Sequence, residues 1–149
     1  MSRYERMPLG SVLETALRSL VIEVPDFPKQ GINFKDIMPL FRDPVVLGCA
    51  LDRMRDYVGF HNPDVIIGIE SRGYLFSAPL ACSMKIPHAT VRKPGKLPGE
   101  VVTAEYTLEY GAEKLEMQRS SIQPGAKAIV IDDVLATGGT AKAVANLVE

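Results

Sequence analysis

The sequence predicts an α/β domain with a mainly parallel sheet flanked by helices. Short apolar segments rich in β-branched residues alternate with segments of helical periodicity along the chain, which is the order typical of this class. One segment, Val65–Ile69, is apolar throughout and suits a strand covered on both faces. The chain has 149 residues, of which 46% are apolar. We therefore expect residues 1–149 to form a single domain with a sizeable core.

Composition excludes several classes of protein. Seventeen basic and 18 acidic side chains give a net charge of −1, so no bulk attraction to nucleic acid or an anionic membrane is expected. No apolar run approaches the ~20 residues of a membrane span, and the N-terminus lacks the apolar core of a signal peptide. Cys49 and Cys82 are predicted to be buried free thiols in a reducing cytoplasm. His61 and His88 match no ligand spacing and are predicted to be structural.

The first third of the chain predicts two helices separated by a loop. Ser11 and Glu14 form a capping-box pattern, and apolar residues at helical spacing follow it. Prolines punctuate residues 25–39, which predicts an extended loop leading to a short strand around Ile32–Phe34. Pro44 predicts the start of the second helix.

The next elements alternate between strand and helix. After the strand at Val65–Ile69, Glu70–Gly73 predicts a turn and Tyr74–Met84 predicts a helix. His88–Arg92 predicts a second strand, and Ala126–Ile131 predicts a third. Because residues Ala128–Ile131 of the third strand are all apolar, we expect it to be central, with neighbours on both sides.

Residues 93–118 interrupt this alternation. The segment begins Lys-Pro-Gly-Lys-Leu-Pro-Gly, which is too rich in Pro and Gly for regular structure. Val101–Leu108 and Lys114–Gln118 predict a pair of strands, with Gly111 at the hairpin turn. Long loops are often lids or binding loops, so we expect residues 93–105 to be mobile in the free protein. A disordered surface insertion is the alternative.

The strongest chemical signal lies in residues 128–140. An apolar strand ends in Asp132 and Asp133, and a small-residue loop, Ala136–Thr140, then begins a helix. Ligands of α/β sheets bind at the carboxyl ends of strands, and backbone amides at a helix N-terminus hold phosphate. The run has neither the Gly-Lys-Ser/Thr ending of a Walker loop nor Gly-x-Gly-x-x-Gly. It predicts a phosphate site beside carboxylates able to accept hydrogen bonds from ribose hydroxyls.

This run resembles the phosphoribosyl-diphosphate signature of type I phosphoribosyltransferases. Four further segments resemble, in the family's order, the base-recognition segment, diphosphate-binding loop, flexible catalytic loop and acidic closing segment of the adenine phosphoribosyltransferase family. These segments are Asp26–Ile37, Glu70–Phe76, Val91–Gly99 and Tyr106–Gly111. The signature alone indicates the superfamily, and the other segments narrow the resemblance to the adenine enzymes.

The resemblance implies an activity, a cofactor and an assembly. The expected reaction is the purine-salvage transfer of a 5-phosphoribosyl group from phosphoribosyl diphosphate to N9 of adenine, which gives AMP and pyrophosphate. The departing charge is expected to be neutralised by Mg²⁺ and basic side chains. The Mg²⁺ is expected to bind through the substrate, with Asp132 and Asp133 contacting it through water. A homodimer is implied, in which the basic loop reaches the neighbour's diphosphate.

The resemblance also implies roles for individual residues. Glu109 is expected to be catalytic and to handle the proton near purine N7. Phe34 is expected to stack on adenine, while the backbone groups of Asn33 and Lys35 read its edge. The remaining residues are expected to bind phosphoribosyl diphosphate: Ser71, Arg72, Arg92, Lys93, Lys96, Asp132, Asp133, Ala136, Thr137, Gly138, Gly139 and Thr140. The peptide bond before Ser71 is expected to be cis or strongly strained.

Two alternatives stay open at this point. One is a phosphoribosyltransferase for a 6-oxopurine, and the other is a non-catalytic regulator that binds phosphoribosyl diphosphate. The presence of Glu109, Lys93 and Lys96 favours catalysis. The resembling family continues beyond the position of Glu149, so we also expect a chain of this length to be poorly stable and to bind adenine weakly.

Overall fold

The computed structural model describes residues 11–108 and 111–149. The described chain divides into two compact units, with the boundary between Met54 and Arg55. The expectation of a single domain over residues 1–149 stays a prediction.

The described part of the first unit contains three helical segments and a small antiparallel sheet. Its elements are α1 (Ser11–Ser19), β1 (Ile22–Val24), β2 (Phe34–Asp36), a 3₁₀ helix (Met38–Arg42) and the start of α2 (Pro44–His61), which continues past the boundary. Helix α2 begins at the predicted proline because the Asp43 carboxylate accepts hydrogen bonds from the amides of Val45 and Val46, at 3.1 and 3.0 Å.

The strand predicted around Ile32–Phe34 begins two residues later than expected. Strand β2 pairs with β1, with Ile22 opposite Asp36 and Val24 opposite Phe34. Strand β1 was not predicted from the sequence. This partner strand fixes the position of β2, which local composition did not specify.

The second unit is an α/β layer arrangement. Its elements are β3 (Val65–Ile69), α3 (Gly73–Met84), β4 (His88–Arg92), β5 (Val101–Leu108), β6 (Gly111–Gln118), a 3₁₀ helix (Arg119–Ser121), β7 (Ala128–Ile131) and α4 (Gly139–Val148). The sheet order is β5-β6-β4-β3-β7. Strand β3 is parallel to β4 and β7, whereas β6 is antiparallel to β4 and β5. The α/β class is therefore confirmed, and the sheet is mixed because a hairpin extends its parallel part.

Two predicted element limits and one predicted strand position differ from the structure. Strand β7 begins at Ala128 instead of Ala126, because a turn with Gly125 at φ 81° precedes it. Gly111 opens β6 opposite Leu108 instead of forming the turn. Within the described residues β7 pairs with β3 alone, at one end of the sheet, so the predicted central position is not observed. Strand β5 includes residues 101–105, and the mobility of residues 93–105 stays a prediction.

Strand β3 has helices on both of its faces. Val65, Ile67 and Ile69 join a buried cluster with Ala143 and Val144 of α4. On the other face, the Cα of Gly68 lies so close to α3 that an added Cβ would come within 2.9 Å of a ring carbon of Tyr74. Coverage on both faces explains the unbroken apolar run from which the strand was predicted.

The two cysteines are free, as expected, but their predicted burial is only partly correct. Cys49 is partly buried, whereas Cys82 is exposed, since the neighbouring Ala81 faces the interior of the unit in its place. Both histidines have packing partners: His61 contacts the ring of Tyr57 with centroids 4.7 Å apart, and Nε2 of His88 lies 2.9 Å from the Ser77 hydroxyl. In the described part of the chain, no helix is both long and apolar enough to span a membrane.

Candidate active site

A cavity of about 750 Å³ lies at the carboxyl ends of β3 and β7 in the second unit. Its wall combines the turn after β3, the residue after β4, and the loop that joins β7 to α4. Most of the residues predicted to bind phosphoribosyl diphosphate line it: Ser71, Arg72, Lys93, Asp132, Asp133, Ala136, Thr137, Gly138, Gly139 and Thr140. The structure therefore brings together residues that are up to 69 positions apart in the chain, as the span from Ser71 to Thr140 shows.

The turn after β3 approaches the end of β7 very closely. A Cβ added at Gly73 would lie 2.9 Å from the carbonyl oxygen of Ile131 and 3.0 Å from a carboxylate oxygen of Asp132. Such contacts are too short for any residue but glycine. Gly73 therefore allows Arg72 to reach Asp132 and Asp133, which we call the acidic pair. The Glu70–Ser71 peptide bond is cis, which confirms the prediction.

The acidic pair is held by Arg72. Its Nε donates a hydrogen bond to Oδ2 of Asp133 at 2.5 Å, and the Asp133 side chain is only 7% exposed. Oδ1 of Asp132 accepts a hydrogen bond from the Asp133 amide at 3.0 Å. Burial, reinforced by the neighbouring charge of Asp133, raises the pKa of Asp132 to about 6. One carboxylate is thus tied to a guanidinium, while the other takes up a proton unusually easily.

The loop after β7 ends in a helix N-terminus at the cavity wall. Gly138 adopts the left-handed conformation, with φ 81°, immediately before α4, which is a conformation that glycine accepts without strain. Oγ1 of Thr137 accepts a hydrogen bond from the Gly139 amide at 3.4 Å. Gly139, Thr140 and Ala141 of the first helical turn line the cavity. Backbone amides and the positive end of the helix dipole therefore suit a phosphate group there.

Arg92 and Lys96 are not among the cavity-lining residues. We call residues 93–100, between β4 and β5, the basic loop. Nε and Nη2 of Arg92 donate to the Glu70 carboxylate at 3.1 and 3.3 Å, and Nη1 donates to the carbonyl of Lys96 at 3.1 Å. The hydrogen bonds from Arg92 lower the pKa of Glu70. Arg92 thus lies at the base of the basic loop, and of Arg92, Lys93 and Lys96 it is Lys93 that lines the cavity.

The predicted base-recognition residues belong to the first unit. The rings of Phe27 and Phe34 are in edge contact, with centroids 5.2 Å apart. Nδ2 of Asn33 donates to the Glu23 carboxylate at 2.8 Å, and the Lys35 ammonium pairs with the same carboxylate. These contacts, that of Lys35 first, lower the pKa of Glu23. The side chains of Asn33 and Lys35 are held by Glu23, and the expectation that their backbone groups read a ligand stays a prediction. Glu109 lies outside the described residues.

Comparison with known proteins identifies the family. The model of the phosphoribosyl transferase domain matches residues 46–149. The adenine phosphoribosyltransferase of Ureaplasma parvum serovar 3 is 49% identical over 132 residues, which cover 89% of this chain and 76% of that protein. The chain belongs to the adenine phosphoribosyltransferase family.

Solved structures agree with this assignment. The crystal structure of the adenine phosphoribosyltransferase from Thermoanaerobacter pseudethanolicus has a TM-score of 0.87 and 42% identity, over 91% of this chain and 78% of that one. The enzyme from Saccharomyces cerevisiae, complexed with an imino-altritol bisphosphate and adenine, has a TM-score of 0.84 and 38% identity over 91% of this chain and 80% of that one. The phosphoribosyltransferase fold predicted from the motifs is therefore confirmed.

The donor set of the cavity fits a Mg²⁺ ion carried by a phosphate ligand. Among the described residues, no three His, Cys, Asp or Glu side chains form a group that could hold a metal. Mg²⁺ usually keeps several waters and is bound through one or two carboxylates together with substrate phosphates. Asp132 and Asp133 would supply those carboxylates, and they line the cavity together with residues Ala136–Thr140, which we call the phosphate loop.

Two carboxylates, Glu70 and Glu23, hold predicted site residues in place and were not predicted from the sequence. Glu70 and Arg92 directly follow Ile69 and Val91, which are partners in the parallel pair β3–β4. Opposite charges at the ends of adjacent strands were therefore a usable signal. Glu23 lies opposite Lys35 in the antiparallel pair, but this signal required β1 to be predicted first. The exposed apolar residues Val134 and Leu135 also line the cavity, and no role was predicted for them.

Proposed function

We propose that this protein is a purine-salvage enzyme that transfers the 5-phosphoribosyl group of phosphoribosyl diphosphate to N9 of adenine, giving AMP and pyrophosphate. The observation that carries the proposal is the cavity at the carboxyl ends of β3 and β7, where a phosphate loop, an acidic pair and an arginine-bearing turn meet. Membership of the adenine phosphoribosyltransferase family supplies the reaction that this combination of groups fits.

The two sets of anion-binding groups at the cavity suggest how the substrate binds. The amides and hydroxyls of residues 136–140 suit the terminal phosphate of the ribose. Ser71, Arg72 and Lys93 suit the diphosphate, since a guanidinium and an ammonium match its charge. Asp132 and Asp133 lie with both groups on the cavity wall, where their oxygens can accept hydrogen bonds from the ribose hydroxyls.

The proposed catalysis is electrostatic. As the bond to the anomeric carbon breaks, positive charge grows on the ribose and negative charge grows on the departing pyrophosphate. The acidic pair is suited to the first charge, and Arg72 and Lys93 are suited to the second. A Mg²⁺ ion, when bound, neutralises further charge on the diphosphate. Arg72 also holds Asp133, so one side chain links the ribose and diphosphate parts of the site.

Base recognition is proposed for the segment around Phe34. An aromatic face provides stacking area for a purine, and the capture of the Asn33 and Lys35 side chains by Glu23 favours contact with the base through backbone groups. Glu109 is proposed to manage the proton at purine N7, on the basis of the resemblance alone.

Assembly and location are also proposals. The resemblance supports a homodimer in which the outer part of the basic loop, with Lys96, reaches the neighbour's diphosphate. The free thiols of Cys49 and Cys82 support a reducing compartment, the cytoplasm. No nucleic acid or membrane partner is proposed.

AMP formation with purified protein tests the proposed function. Phosphoribosyl diphosphate and Mg²⁺ are supplied with adenine, hypoxanthine, guanine or xanthine in turn. We expect turnover with adenine and loss of most activity in Lys93→Ala, with Lys142→Ala on the exposed side of α4 as the matched charge control. Turnover with a 6-oxopurine in place of adenine would reject the base assignment. Tight binding of phosphoribosyl diphosphate without any transfer would indicate a regulator.

A further inference from the structure

The carboxylate of Glu70 joins two parts of the site that are distant in sequence. Glu70 follows β3 and directly precedes Ser71–Arg72, which we call the diphosphate turn. Its hydrogen-bond donors belong to Arg92 and Lys93, at the end of β4. It accepts two hydrogen bonds from the Arg92 guanidinium, at 3.1 and 3.3 Å, and one from the Lys93 amide at 3.1 Å. A single carboxylate therefore holds both the side chain before the basic loop and the first amide of that loop.

Arg92 carries this connection further into the basic loop. Its Nη1 donates to the carbonyl oxygen of Lys96 at 3.1 Å, so the rigid guanidinium fork bridges Glu70 and the middle of the loop. The side chains of Glu70 and Arg92 are 20% and 34% exposed. This limited exposure reduces solvent screening relative to a fully exposed surface pair.

The other anchors of the basic loop come from β6. The Glu116 carboxylate accepts a hydrogen bond from the Gly95 amide at 3.0 Å, and Nε2 of Gln118 donates to the Pro98 carbonyl at 2.9 Å. Of these three anchoring side chains, Glu70 is the one that lines the cavity, together with Lys93. Glu70 thus differs from Glu116 in touching both the loop and the proposed diphosphate site.

We propose that Glu70 is a positioning residue that couples the diphosphate turn to the basic loop. This inference rests on the proposed phosphoribosyl transfer. A diphosphate that orders Ser71 and Arg72 also orders the adjacent Glu70, and through it the amide of Lys93. Arg92 has a second role in this arrangement, since its charge offsets a carboxylate that would otherwise repel the anionic ligand.

A double-mutant cycle tests the coupling. Glu70→Ala and Arg92→Ala are each expected to raise KM for phosphoribosyl diphosphate about tenfold, the scale of a lost charge-assisted hydrogen bond, with KM for adenine changed less than about twofold. The double variant is expected to resemble the single ones, because both remove the same contact. Glu70→Gln should restore part of the loss, since its amide oxygen still accepts from the Lys93 amide. Independent, multiplying effects on KM would overturn the proposal.

Glu116→Ala is the matched control for loop anchoring. It removes the acceptor of the Gly95 amide and leaves the turn untouched. We expect faster amide exchange at Gly95 and a smaller rise in KM for phosphoribosyl diphosphate than in Glu70→Ala. Equal rises in the two variants would show that loop anchoring alone matters and would overturn the coupling role.

Amide exchange with pyrophosphate and Mg²⁺ as the probe separates this inference from the proposed function. In the wild type, the probe is expected to slow exchange both at Ser71–Arg72 and in residues 93–96. In Glu70→Ala it should slow exchange at the turn alone. Equal protection of the loop in the variant would refute the coupling even if AMP is formed, whereas absence of AMP formation would reject the reaction and leave this measurement valid. If Glu70→Ala does not fold, Glu70→Gln serves in the same comparison, with partial loss of loop protection as the expected result.

Discussion

The two halves of the cavity wall are built in different ways. On one side, the phosphate loop and the acidic pair come from one continuous run, residues 132–140. On the other side, the diphosphate turn and the basic loop are joined by Glu70 and Arg92, which are 22 positions apart. The first side follows from a strand end, glycines and a helix start. The second side depends on which strands become neighbours, so a local motif specifies its residues but not their contacts.

Glu109→Gln should give the largest effect, and it tests the catalytic role that the family resemblance assigns to this residue, which follows β5 in the sequence. Loss of a positioned acid or base typically lowers rate ~10²–10⁴-fold. We therefore expect turnover to fall within that range and KM for phosphoribosyl diphosphate to change far less. Steady-state kinetics with Glu113→Gln, in the same hairpin, as control checks the assignment. Wild-type turnover in Glu109→Gln would remove its catalytic role.

Asp133→Asn tests the first side through a long-range link, the hydrogen bond from Arg72 to Oδ2 of Asp133. Removing one charge of a largely buried pair costs ~3–5 kcal/mol, and the partial exposure of Arg72 brings the expected loss of unfolding free energy to about 3 kcal/mol. Denaturant unfolding measures it. Asp64→Asn keeps an oxygen for the Lys127 amide at the other end of β7 and should cost less than about 1 kcal/mol. Similar losses in both variants would mean that the ion pair adds nothing.

Gly73→Ala probes the point where the two sides meet. An added Cβ would come within 3.0 Å of backbone and carboxylate atoms at the end of β7, so the turn and the strand must separate. Overpacking of this kind costs roughly 1–3 kcal/mol, and we expect about 2 kcal/mol together with a higher KM for phosphoribosyl diphosphate. Gly59→Ala in α2 provides a control for glycine loss, because the nearest atom to its added Cβ, the terminal carbon of Met84, lies at an ordinary contact distance of 3.8 Å. An unchanged KM in Gly73→Ala would separate the turn from the acidic pair.

The same contrast explains which site residues could be predicted from the sequence. Asp132, Asp133 and residues 136–140 were placed at the cavity because chain order alone brings them together after an apolar strand. The clustering of Ser71 and Arg72 with them followed from the family resemblance. The position of Arg92 away from the cavity was not predicted, since it depends on Glu70 accepting its hydrogen bonds.

The limits of an element were predictable where a local residue type sets them. They were not predictable where pairing with another strand sets them. Pro44 and the apolar Val65–Ile69 gave an element start and a strand that agree with the structure. Strand β2 was misplaced because β1, a three-residue strand with exposed positions, carries almost no local signal. The sheet's antiparallel extension followed from predicting the hairpin, but its attachment beside β4 depends on long-range pairing.

The smallest predicted effect is a pH dependence carried by Asp132, and it sharpens the comparison because this group has no counterpart on the basic-loop side. Burial raises its pKa from 3.8 to about 6. Below about pH 4 the carboxyl is protonated in both the folded and unfolded states, so it adds no pH dependence. As pH rises from about 4 to 6, the unfolded state releases the proton while the folded state retains it, so the free energy of unfolding falls. With allowance for solvent at this half-buried group, the loss is about 1 kcal/mol.

Asp132→Asn removes the titrating group, so the stability of the variant relative to the wild type should rise by that amount between pH 4 and 7. Unfolding curves at several pH values, with the Asp132 carboxyl followed by NMR, measure both quantities. Parallel stability profiles for the two proteins would show that the Asp132 carboxyl titrates alike in the folded and unfolded chains.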